Sequence, residues 1–131
     1  MLNKIELIGR LGGDPEVRYT PSGTAVANFS LATSEKFTDQ NTGEKREETQ
    51  WHRCVAWNRL AEICGQYLGK GSLVYVEGKM TYRKWQDNDG NDRYSAEVRV
   101  NRMLMLDTKG QGQGQGKPPA QDHSYGEDIP F

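Results

Sequence analysis

The chain has 131 residues, enough for one domain with a modest core. Its 17 Lys and Arg against 18 Asp and Glu leave a net charge of −1, which excludes a uniformly basic polyanion binder; cations for an anionic polymer would have to be gathered on one face. Its apolar runs are too short to span a bilayer, the start "MLNKIELIGRL" lacks the features of a signal peptide, and Cys54 and Cys64 alone make no disulfide framework, so a reducing cytoplasm is expected.

In chain order, "NKIELIGRL" places Ile5, Leu7 and Leu11 on one face of a first strand, with Gly9 expected at a bend or bulge. "GGDPE" and "TPSGT" read as turns. In "AVANFSLAT", Ala25, Ala27, Phe29 and Leu31 alternate as a second strand. The polar stretch "KFTDQNTGEKREE", with Asn41-Thr42-Gly43 near its middle, predicts a long hairpin into a third strand, "TQWHRCVAW". The period then changes. Leu60, Ile63, Cys64, Tyr67 and Leu68 form one helical stripe, with Asn58 as N-cap and Gly69 as stop. "SLVYVEGKMTYRKW" is a fourth strand, Asp89-Gly90 a turn, and "DRYSAEVRVNRMLML" a fifth strand in which Tyr94, Ala96, Val98 and Val100 alternate.

Composition breaks after Asp107. Residues 108–125, rich in Gly, Gln and Pro, read as a disordered linker, and 126–131 as an acidic, apolar tip; the folded part is 1–107. Three strands, a short helix and two strands predict an all-β, five-stranded OB-fold barrel with the helix between strands 3 and 4, long hairpins and a disordered C-terminal tail. A generic small β-barrel or a split sheet fits the same pattern.

No catalytic constellation is visible, and neither a metal site nor a cofactor is expected. His52 and Cys54 share a strand face with Ala56 and read as core or interface packing; Cys64 lies on the apolar helix stripe. "GKGS" at 69–72 leaves a helix rather than entering one, so it is no phosphate loop. The aromatic residues are more telling. Trp51 and Trp57 alternate with Arg53 and Val55, and Arg59 lies just beyond. Trp85 alternates with Arg83, Thr81 and Lys79, and Lys84 adjoins it. Phe37 follows Lys36 at the mouth of the first long hairpin. Rings interleaved with cations suit single-stranded nucleic acid, whose unpaired bases stack on flat rings while phosphates meet the charges between them. Stacking tolerates any sequence and does not read the 2′-OH, so RNA stays open on these grounds. Tryptophans covering a subunit interface or holding hairpins against the barrel are the plainer alternative.

"LIGRLGGDPEVRYTPSGTAVANFSLAT", "ETQWHRCVAWNRLAEICGQYLGKGSLVYVEGK", "YRKWQDNDGNDRYSAEV" and the final "DIPF" closely resemble bacterial-type single-stranded DNA-binding protein over residues 1–106 and the last four. The resemblance implies an OB-fold, a homotetramer, single-stranded DNA wrapped over the subunits, no enzymatic activity, and a cytoplasmic, nucleoid-associated role in replication, recombination and repair. It implies base stacking by Phe37, Trp51, Trp57 and Trp85, and phosphate contacts by Arg53, Arg59, Lys70, Arg83 and Lys84; Lys79 joins these on the strand pattern. Many family members carry Trp at the place of Phe37, and Trp57 replaces a common Phe. The tip holds fewer consecutive acids than is usual, only Glu127 and Asp128 before Ile129, Pro130 and Phe131. By resemblance these five residues recruit replication and repair proteins: the ring fills an apolar pocket, the proline restricts the backbone, and the acids steer toward basic surfaces. A pure protein-interaction adaptor is the competing class, and it would have no need of an aromatic, basic face.

Overall fold

The computed structural model describes residues 1–107, and the linker and tip expected over 108–131 lie outside them. Six strands and one helix follow in the order β1 (Ile5–Leu11), β2 (Glu16–Tyr19), β3 (Ala25–Thr38), β4 (Lys45–Trp57), α1 (Asn58–Tyr67), β5 (Leu73–Gln86) and β6 (Asp92–Met105). Antiparallel ladders join β1 to β5, β5 to β6, and β3 to β4. β6 meets β4 in parallel over Cys54↔Val98 and Val55↔Arg99, and β3 returns to β1 at Arg10↔Ala32 and Leu11↔Leu31. The five strands β1, β3, β4, β6 and β5 therefore close into an OB-fold barrel, with α1 lying between β4 and β5 in the chain. The short β2, which the sequence pattern read only as chain between turns, lies outside the barrel against β3.

Alternation builds the core. Ala25, Ala27, Phe29 and Leu31 point inward from β3, Cys54 and Ala56 from β4, Val74 and Val76 from β5, and Val98 and Val100 from β6. Each fully buried Val or Leu contributes about 1.5–3 kcal/mol. The helix closes one end with Ala61, Cys64 and Leu68; of its expected stripe, Tyr67 stays substantially exposed.

Two local expectations are corrected. The β1–β5 ladder runs unbroken through Gly9↔Val74, so Gly9 is not a bulge. The irregularity falls instead at Glu77/Gly78, where β6 holds one extra residue, and a side chain on Gly78 would strike the Arg99 carbonyl. Asn58 is not the N-cap. Extended Trp57 occupies that position without a side-chain capping bond, and Asn58 takes a left-handed φ of 60° to turn the chain from β4 into the helix. Asn is among the few residues that tolerate this region.

The long hairpins β3–β4 and β5–β6 run well past the barrel. Their inner halves continue the buried pattern, and their outer halves are exposed on both pleat faces.

Candidate nucleic-acid interface

The outward face of β4 carries Trp51, Arg53, Val55 and Trp57, opposite the pleat from buried Cys54 and Ala56. Parallel pairing brings the outward face of β6 beside it, with Arg99 next to Val55. Beyond β6, β5 contributes Lys79, Thr81, Arg83 and Trp85, in register with Arg99, Glu97, Ser95 and Arg93. Three tryptophans and four of the six cations singled out from the sequence or by resemblance are thus set by strand parity on two neighbouring hairpins or beside them; Arg53, Lys79 and Arg83 share the tryptophan face, and Arg59 stands just past Trp57 at the helix start, 3.6 Å from Glu62.

Each ring has its own support. Trp51 is 60% exposed and lies across Gly12, where a Cβ would come 2.5 Å from its Cζ3. It borders an open hollow of about 620 Å³ with Asp14, Asn28, Ser30 and Arg53 on the walls. Lys70 reaches the rim of this hollow, because its backbone N–H donates to Asp14 Oδ1 at 2.8 Å. Trp57 is half-buried under Arg99, whose guanidinium carbon stands 5.2 Å from the ring centroid in a cation–π contact. Trp85 is 46% exposed and pinned by its Nε1, which donates to Ser95 Oγ at 3.0 Å. Between the hairpins runs a groove of about 390 Å³, floored by Val55 and walled by Trp57, Arg83, Glu97 and Arg99.

Two expected members of the face lie elsewhere. Lys84 follows Arg83 in the chain and so projects to the other side of its hairpin, opposite Tyr94 and 3.3 Å from Asp92. Phe37 shares the inward parity of Phe29 and Leu31, far out on its hairpin opposite Arg46, and is not on the pleat face of Trp51. His52 is half-buried, with Nε2 2.8 Å from Thr33 Oγ1, and lines the hollow beside Trp51.

The sequence reading missed Arg99 and Glu97. Arg99 had a usable signal, since it alternates outward with Glu97 and Ser95 on the last strand. Its contact with Trp57 depends on the non-local β4–β6 pairing. Glu97 is the only carboxylate among the described residues that bridges two cations of this face: its Oε2 lies 3.7 Å from Arg53 Nε and 3.4 Å from Arg83 Nη2.

The profile of the Single-strand binding protein family matches residues 2–106. Among solved structures, the Plasmodium falciparum SSB in complex with ssDNA superposes with a TM-score of 0.75 at 38% sequence identity, covering 82% of this chain and 97% of that one.

Proposed function

The chain belongs to the single-strand binding protein family, and on that premise we propose that its barrel binds single-stranded DNA without regard to sequence. The observation that carries the reading is the outward face of β4, β6 and β5, where Trp51 and Trp85 are exposed, Trp57 is half-buried under Arg99, and cations stand between them. In this reading Trp51, Trp57 and Trp85 stack bases, and Phe37 adds a fourth ring from the hairpin. Arg53, Arg59, Lys70, Lys79 and Arg83 meet phosphates, joined by Arg99; Lys84 engages a strand that passes round the β5–β6 hairpin. The solved complex of the similar Plasmodium falciparum SSB with ssDNA supports the choice of ligand.

The finer reading is protection of single strands during replication, recombination and repair, by a cytoplasmic homotetramer that recruits partner proteins through Glu127–Phe131. It rests on the sequence resemblance. Titration of the protein with poly(dT), poly(U) and duplex DNA, followed by tryptophan emission, tests the central claim. Quenching by poly(dT) well below the concentration needed for duplex is expected, and Trp57→Ala or Trp85→Ala should each weaken binding by about 1–3 kcal/mol with the fold intact. Normal affinity in a folded variant lacking all three tryptophans would overturn it.

A further inference from the structure

A polyanion-binding face gains nothing electrostatically from a carboxylate at its centre, yet Glu97 sits there. Its side chain is 14% exposed, while those of Arg53 and Arg83 above it are 57% and 63% exposed. The acid therefore lies at the base of the groove and the two guanidiniums cover it. Each guanidinium offers five N–H donors, and Glu97 engages one nitrogen of each, Nε of Arg53 and Nη2 of Arg83. The remaining donors are free to face the groove. The strand backbone fixes the acid from below: Glu97 is in register with Thr81, whose hydroxyl donates to its carbonyl at 3.2 Å. One residue thus ties together three strands, with Arg53 on β4, Arg83 on β5 and itself on β6.

We propose that Glu97 is a positioning residue that acts as a resident substitute for phosphate: it holds Arg53 and Arg83 in place on the free protein and, by cancelling part of their charge, caps the grip of the groove on the DNA backbone. This rests on the single-strand reading above. The two roles oppose each other energetically. Orientation favours binding by removing the disorder of two long side chains before the strand arrives. Residual negative charge disfavours it, because a phosphate on the far side of either guanidinium stays within a few ångströms of the carboxylate, well inside the Debye length. Glutamine separates the two, since it keeps an oxygen acceptor of the same reach and lacks the charge.

The test compares wild type and Glu97→Gln in titrations with poly(dT) between about 50 and 200 mM salt. The expected result is tighter binding by the variant, on the order of three- to tenfold at the low-salt end. The gain should shrink as salt rises, and the log–log salt slope should steepen by about 0.7, the equivalent of one more phosphate neutralised. A melting curve establishes that the variant is folded; should it not be, Glu97→Ala takes its place and is read by the salt slope alone, which should steepen likewise because the charge is gone, whereas its affinity also carries the loss of orientation. Equal or weaker binding by a folded variant with an unchanged slope overturns the proposal. If wild type itself fails to bind poly(dT), it is the single-strand reading that falls.

Discussion

Trp51 shows how much of this face depends on residues that never touch a ligand. Its ring can sit this close to the chain only because position 12 has no side chain. Gly12→Ala should leave the barrel folded, since Gly12 lies at the surface just past the end of β1, but push the ring away from its present plane. We expect a shift in tryptophan emission and a loss of poly(dT) affinity no larger than that of Trp51→Ala, within about 1–3 kcal/mol. Unaltered emission and affinity would show that the ring has room to spare. Trp57 depends instead on a partner. Arg99 over its ring contributes on the order of 0.5–1 kcal/mol at an exposed site, and also brings a cation close to any stacked base.

At the scale of elements, the two long hairpins carry the face, and their tips are held by local chemistry. Asp87 follows β5 and accepts the backbone N–H groups of Asn91 and Asp89 at 2.9 Å, together with Arg93 Nε–H at 2.9 Å. The Asn91 N–H foremost, and then the Arg93 guanidinium, hold its carboxyl below the ordinary carboxylate range. A depressed carboxyl stabilises the folded turn above the unfolded value, near pH 4, and that contribution disappears as pH falls through the lowered value. Amide exchange at Asn91 should therefore show full protection at pH 5 and lose it in stronger acid, while the β5–β6 ladder nearer the barrel stays protected. Asp87→Asn should abolish the acid step; persistence of that step would place the titrating group elsewhere.

The same elements show what could be read without a structure. Ala25-x-Ala27-x-Phe29-x-Leu31 and Val98-x-Val100 display their inward faces directly, because a period of two leaves a mark on the sequence. So does the outward series Trp51, Arg53, Trp57. β2 left no mark: four residues, "EVRY", packed on one neighbour are too few to show a period. The left-handed turn at Asn58 was equally hidden, because Asn serves as readily for a cap as for a positive φ. The Glu97 bridge was illegible for a deeper reason. It needs β4 and β6 to be neighbours, and pairing between distant strands has no local signature.

On the scale of the whole molecule, β1 pairs with β5 from Ile5 to Arg10 but with β3 only at Arg10 and Leu11. Among the described residues its other edge is open between Ile5 and Gly9, with Met1, Leu2 and Ile8 exposed nearby. Open edges invite pairing with another chain, and light scattering should give a mass near four times 14.8 kDa; a monomer at micromolar concentration would contradict the proposed homotetramer. The core sets a second expectation. Burial pushes the Cys54 thiol up to about 12, with a smaller push from neighbouring Cys64, and burial pushes Cys64 up to about 11. The unfolded chain ionises its thiols near 8.5, so stability should be full below that pH and fall as pH rises toward 11–12. Urea midpoints should drop between pH 8 and pH 10, and Cys54→Ala with Cys64→Ala should remove the part of the slope due to the thiols.

The parallel seam between β4 and β6 spans only two residue pairs, yet it joins positions 44 apart in the chain. The β3–β4 and β5–β6 hairpins are each local and can form on a microsecond timescale, whereas the seam must wait for the loop between them to close. The order of folding events is therefore also the order of functional assembly. A nascent or partly unfolded chain can hold both hairpins and every tryptophan and still lack the Arg53–Glu97 and Trp57–Arg99 contacts. Competence to grip DNA would then arrive in the last step of folding, and refolding followed by stopped-flow addition of poly(dT) should show binding appear with the rate of barrel closure rather than with the faster rate of hairpin formation.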